Sequence, residues 1–196
     1  MPILGIIASA ISGNLSAPSY DSIATTTLGT TASSITFSSI PATYTHLQLR
    51  ISFLCSNNDG WQWMQAGNSS LDTTATNYSS HYLRANGTSP SADYATGGIN
   101  ANARGYRWGY ANTSSATSPY VAVIDILDYA NTNKYKTFRS LNGQDANGSG
   151  EVFLTSGLWM STAAINTIQI SNSTGNNQTS YANYNTYTSA ALYGIK

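Results

Sequence analysis

Apolar and polar residues alternate with a period of two through most of this sequence. Leu47, Leu49 and Ile51, for example, fall on one face of an extended chain, and the residues between them are polar. Such runs, rich in β-branched and aromatic residues and bounded by Gly, Pro, Asn and Ser, are typical of half-buried β-strands. The pattern predicts ten strands, at residues 22–28, 34–37, 44–54, 61–65, 80–83, 120–127, 134–141, 151–159, 165–171 and 189–195.

These strands predict an all-β, single-domain β-sandwich, wound as a jelly roll. Helical periodicity is nearly absent, and eight to ten strands in one domain of this size are typical of two packed sheets. Residues 121–127 are apolar at almost every position, which predicts a central strand covered on both faces. Residues 85–120 and 172–187 contain few aliphatic side chains and are predicted to be long loops, where we expect contacts.

The chain begins with a short apolar segment. No Lys or Arg precedes it, as a secretory signal would require, and it is too short to span a bilayer. We therefore predict an N-terminal arm and connector over residues 1–19, followed by the sandwich domain over residues 20–196. An ordered apolar arm needs a surface to pack on, so we expect it to contact a sister subunit or a larger partner. The candidate interface residues are Ile3, Leu4, Ile6, Ile7 and Ile11.

Charged residues are scarce. Lys and Arg number 8, Asp and Glu number 8, and charged residues make up 8% of the chain, against roughly 25% in a typical soluble domain. Ser (28), Thr (24) and Asn (19) provide the polar surface instead. Neutrality of this kind argues against nucleic-acid binding, which needs Lys and Arg to neutralise phosphates, and against a polybasic membrane-surface protein.

The sequence offers no constellation for catalysis. It has no Gly-x-Ser-x-Gly motif, and its two histidines, His46 and His81, are interpreted as surface or interface residues. Asp125 and Asp128 lie three residues apart on a strand, which places them on opposite faces rather than as a catalytic pair. The single cysteine, Cys55, lies in an apolar run and is interpreted as a small buried hydrophobe. We predict no enzymatic activity, no cofactor and no metal.

Aromatic residues are the other candidate contacts. Some of the Trp and Tyr residues alternate along short segments, and others line the second predicted loop. Their rings could stack on host-surface glycans or fill a subunit interface, where Tyr and Trp are enriched. For a domain with so few charges we favour the interface. The candidates are Trp61, Trp63, Tyr106, Trp108, Tyr110, Tyr181, Tyr184 and Tyr187.

Several segments resemble a family of small virion structural proteins of tailed bacteriophages, common among phages of cyanobacteria and other aquatic bacteria. The resemblance spans nearly the whole chain, although residues 101–120 and 172–187 align with no family motif. It is carried by residues 1–9 (MPILGIIAS), 19–25 (SYDSIAT), 40–50 (IPATYTHLQLR), 77–83 (NYSSHYL), 125–134 (DILDYANTNK) and 191–196 (ALYGIK).

The resemblance implies a β-sandwich module on the virus particle, on either the head or the tail. We expect a capsid cement or decoration protein that forms a homotrimer, binds the phage major capsid protein and uses its N-terminal arm for docking. The alternative is a tail-fibre or receptor-binding module that recognises host glycans through its aromatic loops.

Overall fold

The computed structural model describes residues 19–55, 60–87, 89–96, 105–111, 118–145, 147, 150–174 and 181–196. Within them, regular structure consists of fourteen strands and one 3-10 turn at Ala75–Asn77. The strands are β1 (Tyr20–Thr27), β2 (Ser34–Phe37), β3 (His46–Phe53), β4 (Gly60–Asn68), β5 (Ser70–Leu71), β6 (Tyr78–Asn86), β7 (Ser89–Thr96), β8 (Tyr106–Ala111), β9 (Tyr120–Leu127), β10 (Lys136–Asp145), β11 (Gly150–Trp159), β12 (Thr167–Thr174), β13 (Tyr181–Ala182) and β14 (Ser189–Ile195).

The strands form two antiparallel sheets that pack face to face, which confirms the predicted all-β sandwich. The larger sheet has eight strands in the order β1-β14-β3-β9-β10-β11-β6-β7. In the smaller sheet β4 pairs with β12, β8 and β5 pair along the free edge of β4, and β2 and β13 pair with β12. The jelly-roll connectivity stays a prediction.

The main core lies between the sheets and follows the period of two. Its centre is the ring of Phe53, which contacts the rings of Trp108 (5.5 Å), Tyr120 (5.3 Å) and Tyr184 (5.8 Å). Aliphatic side chains from β3, β9 and β12 surround these rings, and removing them from water is the main contribution to stability. They include Leu47, Leu49, Ile51, Ile124, Ile126, Ile168 and Ile170.

A β-bulge in β8 shapes the other half of the interior. The pairing of β4 with β8 shifts register after Gln62, which leaves Trp108 opposite no residue of β4. The carbonyl of Trp108 instead accepts hydrogen bonds from Ser140 Oγ, at 3.0 Å, and from Asn142 Nδ2. Because an unpaired buried carbonyl is costly, β10 must turn polar side chains inward at this point.

Strand β8 also packs very closely on β10 and β11. A Cβ atom on Gly109 would lie 2.8 Å from Asn142 Oδ1, and one on Gly157 would lie 2.1 Å from Cδ2 of the Tyr106 ring. The two glycines therefore make room for β8 above the larger sheet. The Tyr106 hydroxyl then reaches Ser140 Oγ at 2.8 Å.

The ten strands predicted from alternation are confirmed, whereas the two predicted long loops are wrong. Residues 85–120 contain β7 and β8, and residues 172–187 contain the end of β12 and β13. Strand β7 has few strand-forming residues, since it is an edge strand held by its backbone pairing with β6. Strand β8 is short, and both of its faces are buried although Tyr and Trp alternate in it with Arg107 and Gly109.

We predict that Ser140→Ala lowers the free energy of unfolding by about 1–3 kcal/mol, because two buried polar groups lose a hydrogen-bond partner. Urea denaturation measures the change. Ser156→Ala is the matched control, since Ser156 is exposed on the opposite face of the neighbouring strand, and it should change the free energy by less than about 0.5 kcal/mol. Equal losses in both variants would contradict this account of the bulge.

Candidate interaction surface

Strand β9 is central in the larger sheet, but only one of its faces is covered. It lies between β3 and β10, as predicted. Ala122, Ile124 and Ile126 point into the core, whereas Val121 and Val123 point outward and are exposed. The prediction that both faces are covered is therefore wrong. Within the described structure no second layer lies on the outer face of this strand.

Strands β10 and β11 reverse the usual polarity of a sheet with one wet face. On β10, Ser140 and Asn142 are buried while Leu141 between them is exposed. On β11, Thr155 is buried while Leu154 beside it is exposed. In a sheet with one solvated face the polar side chains normally point to water. Ser140 and Asn142 point inward to the bulge of β8, where both donate hydrogen bonds to the carbonyl of Trp108.

The outward aliphatic side chains lie in register across neighbouring strands. Val123 pairs with Leu141, Leu141 with Leu154, and Leu154 with Leu83 on β6. A second row begins at Val121 and reaches Val152 across Gly143. We call this surface the apolar outer face, and it comprises Leu83, Val121, Val123, Leu141, Val152 and Leu154, each between 39% and 57% exposed.

The apolar outer face is large for a protein of this size. Its side chains expose on the order of 550 Å², near the upper end of the ~300–600 Å² of the largest patch on a typical monomer. Removing that area from water would contribute roughly 14 kcal/mol before the cost of association. Contiguous patches of this area on monomers are often functional, which makes the apolar outer face the candidate interaction surface.

Three shallow depressions lie along this side of the larger sheet. One of about 490 Å³ is lined by Leu83, Leu154 and Tyr94, among others, and one of about 320 Å³ by Val121, Leu141 and neighbouring residues. A third, also of about 320 Å³, continues over β3 and β14. The surface therefore has relief into which a partner's side chains can fit.

The border of the apolar outer face is polar and internally balanced. Arg139 Nη2 lies 3.1 Å from Asp125 Oδ2, and Gln48 Nε2 donates to Asp125 Oδ1 at 2.9 Å. Arg50 donates to Gln48 Oε1 at 2.8 Å and lies over the rings of two tyrosines on β1 and β14. A polar rim around an apolar centre is the usual anatomy of a protein interface.

The predicted aromatic contacts are mostly part of the interior. Trp63, Tyr106, Trp108 and Tyr184 are fully buried, and Trp61 is 7% exposed. The prediction that these residues line contact loops is wrong, because Trp61 and Trp63 lie on β4 and Tyr106 and Trp108 on β8, between the sheets. Tyr110 ends half-buried against Trp61, Tyr181 begins β13, and Tyr187 is 81% exposed. The arm residues Ile3, Leu4, Ile6, Ile7 and Ile11 lie outside the described residues.

Two arginines occupy the aromatic faces that a sugar would need. The guanidinium carbon of Arg107 lies 3.9 Å from the centre of the Trp61 ring and 4.8 Å from that of Tyr82. Arg84 lies over Tyr110, at 5.2 Å, and its Nη2 is 2.7 Å from a carboxylate oxygen of Glu151. These cation–π contacts join the two sheets at this end of the sandwich. The sequence did not predict them, because they depend on tertiary contacts.

The titratable residues have structural partners. His46 Nδ1 accepts a hydrogen bond from the Asp128 backbone N–H at 3.0 Å, and His81 stacks on Tyr94. Asp125 faces outward and pairs with Arg139. Among the described residues, no three His, Cys, Asp or Glu side chains are grouped to hold a metal ion. In the same residues, no helix is long and apolar enough to cross a membrane.

Neither a protein-family model nor a curated protein matches the sequence.

The Cys55 thiol is buried, as predicted from its apolar run, and receives a long contact from Gln62 Nε2 at 3.7 Å. Burial raises its pKa to about 12. Because the thiolate is the reactive form, we predict that Cys55 reacts with Ellman's reagent at pH 8 at least about 100-fold more slowly in the native protein than in denaturant, where its pKa is ordinary. Equal rates in both conditions would contradict this placement.

Proposed function

We propose that this protein is a non-enzymatic structural subunit of a bacteriophage virion, a cement or decoration protein that binds the assembled head and stabilises it. The observation that carries the proposal is the apolar outer face, an interaction surface on a chain with very few charges. The proposed partners are further copies of the chain, in a homotrimer, and the phage major capsid protein. The resemblance of the sequence to small virion proteins of tailed phages supports a location on the virus particle, and we place the protein on the capsid surface.

The apolar outer face suits a permanent structural contact. Its side chains project from paired strands, so little backbone order must be gained on binding. Binding that depends on apolar area is also insensitive to salt, in contrast to binding between charged surfaces. A protein that binds only the assembled shell then stabilises it by mass action. The stabilisation is about 2.7 kcal/mol per site when the concentration of free protein is a hundred times the dissociation constant.

The tail placement with glycan recognition is the other role implied by the resemblance. Five of the aromatic residues predicted for it are buried, and arginines cover two further ring faces. No contact in the described part of the chain favours glycan binding over assembly. We therefore propose the head placement.

Copy number per purified particle tests the proposal. Quantitative mass spectrometry against the most abundant shell protein should find this protein in numbers that scale with the shell protein. Far fewer copies would assign it to the tail and overturn the head placement. Absence from the particle would overturn the virion role altogether.

We predict that replacing Ile3, Leu4, Ile6, Ile7 and Ile11 together by Ser abolishes binding to purified shells while leaving the sandwich folded. The physical reason is that the arm would lose five of its large apolar side chains. Co-sedimentation with shells measures binding, and circular dichroism checks the fold. The control variant, Ser9, Ser12 and Ser16 replaced by Ala, should bind normally. Unchanged binding by the five-serine variant would show that the arm is not the docking element.

A further inference from the structure

We propose that the apolar outer face of the eight-stranded sheet is the surface on which a second copy of this chain packs. The inference rests on the proposed function, because it identifies a surface through which copies of the chain associate. It concerns a contact between copies in solution, whereas the proposed function concerns the particle. The two can therefore fail separately.

The direction in which the side chains of β10 and β11 point supports this proposal. In β10 and β11, polar residues such as Ser140, Asn142 and Thr155 are buried, and the aliphatic residues Leu141 and Leu154 between them are exposed. Alternation places successive residues on opposite faces of the sheet, so an apolar inner layer would have left these outer positions polar. Leu141, Val152 and Leu154 place aliphatic side chains on the outer face of these two strands, whereas Thr137, Arg139 and Ser156 on the same face are polar. The aliphatic part of the outer face has the composition of a buried layer.

The exposed area of the apolar outer face also supports the packing of a second copy. A standard interface buries about 800 Å² per partner, of which roughly 60% is apolar. The apolar outer face supplies on the order of 550 Å², and the polar border completes the remainder. One copy therefore presents what one side of a stable interface needs.

The charge distribution of the apolar outer face favours a second copy as the partner. The six residues of the apolar outer face carry no titratable group, and at its border the carboxylate of Asp125 is already paired with Arg139. A strongly acidic or basic partner would find no complementary charge in this patch. A second copy has zero net charge, so copies do not repel one another.

The shape of the apolar outer face is suited to packing against an identical face. Val123, Leu141, Leu154 and Leu83 form a row across four adjacent strands, which is about 14 Å long at the usual strand spacing. Rows of this kind interdigitate when two sheets pack about 10 Å apart. An identical face supplies identical rows, so the same patch can serve both partners.

The N-terminal arm of the same chain is the competing occupant. It precedes β1, which is separated from β9 by β14 and β3. An arm lying on its own sheet would cover the patch without forming an oligomer. The experiment must therefore separate the arm from the second copy.

Sedimentation velocity over a range of protein concentrations tests the inference. The chains compared are the full-length protein, Leu141→Glu, Leu154→Glu, the control Thr36→Glu, and a chain lacking residues 1–15. Thr36 is an exposed strand residue on the smaller sheet, so its Glu variant adds the same charge away from the apolar outer face. Circular dichroism and urea unfolding establish that each variant is folded.

We expect the full-length protein and Thr36→Glu to sediment as the same dimer, because one patch that serves both partners forms a two-fold contact. Leu141→Glu and Leu154→Glu should dissociate at least about 100-fold more readily, since each buries an unpaired carboxylate in the interface. If one of the two fails to fold, the other decides, and Val121→Lys provides a third.

Three results would overturn the inference. The first is a full-length protein that stays monomeric at every concentration, and the second is a Glu variant on the apolar outer face that keeps the mass of the full-length oligomer. Dissociation caused only by removal of residues 1–15 would also overturn it and would assign the contact to the arm. Copy number on the particle is independent of all these results and tests the proposed function alone.

Discussion

The buried carbonyl of Trp108 accounts for the inward direction of the polar side chains on β10. The bulge in β8 removes this carbonyl from the strand ladder, and Ser140 and Asn142 must point inward to satisfy it. Because side chains alternate along a strand, Leu141 must then point outward. The same alternation, with Thr155 inside, turns Leu154 outward on β11. The polar interior and the apolar outer face are thus two consequences of one register.

The aromatic residues are conspicuous in the sequence as candidate ligand contacts, but most of those candidates are buried in the structure. The rings of Trp61 and Tyr82 lie 5.4 Å apart, and the guanidinium of Arg107 lies against both of them. Arg107 is 4% exposed, so its charge is held in the interior largely by these ring faces. The rings therefore fix the two sheets to each other. The outward aliphatic side chains of β9, β10 and β11 form the candidate interaction surface instead.

The strand pattern was enough to predict the ten regular strands and the sandwich. Most of those strands have one buried face and one face with exposed positions, although β4 is buried on both. The pattern failed for β8, which is short and buried on both faces, and for β7, which is held by backbone pairing. The sequence did contain a signal for the apolar outer face. Phe138 and Leu141 lie three residues apart on one strand, so both cannot face the core. Only the register across β9, β10 and β11 shows which of them is outside. The burial of Lys136 could not be predicted from the sequence either. Its ammonium donates hydrogen bonds to the carbonyls of Asn131, Lys134 and Thr162, which come together only in the folded chain.

The central claim is that the outer face of the larger sheet becomes buried when copies of the chain assemble. The most direct measurement is the rate of maleimide labelling of Leu141→Cys, in a protein with Cys55→Ala, as protein concentration rises. The account predicts that labelling slows as the oligomer forms, while a Thr36→Cys variant on the smaller sheet reacts at a constant rate. Labelling of Leu141→Cys at the same rate at every concentration would contradict it.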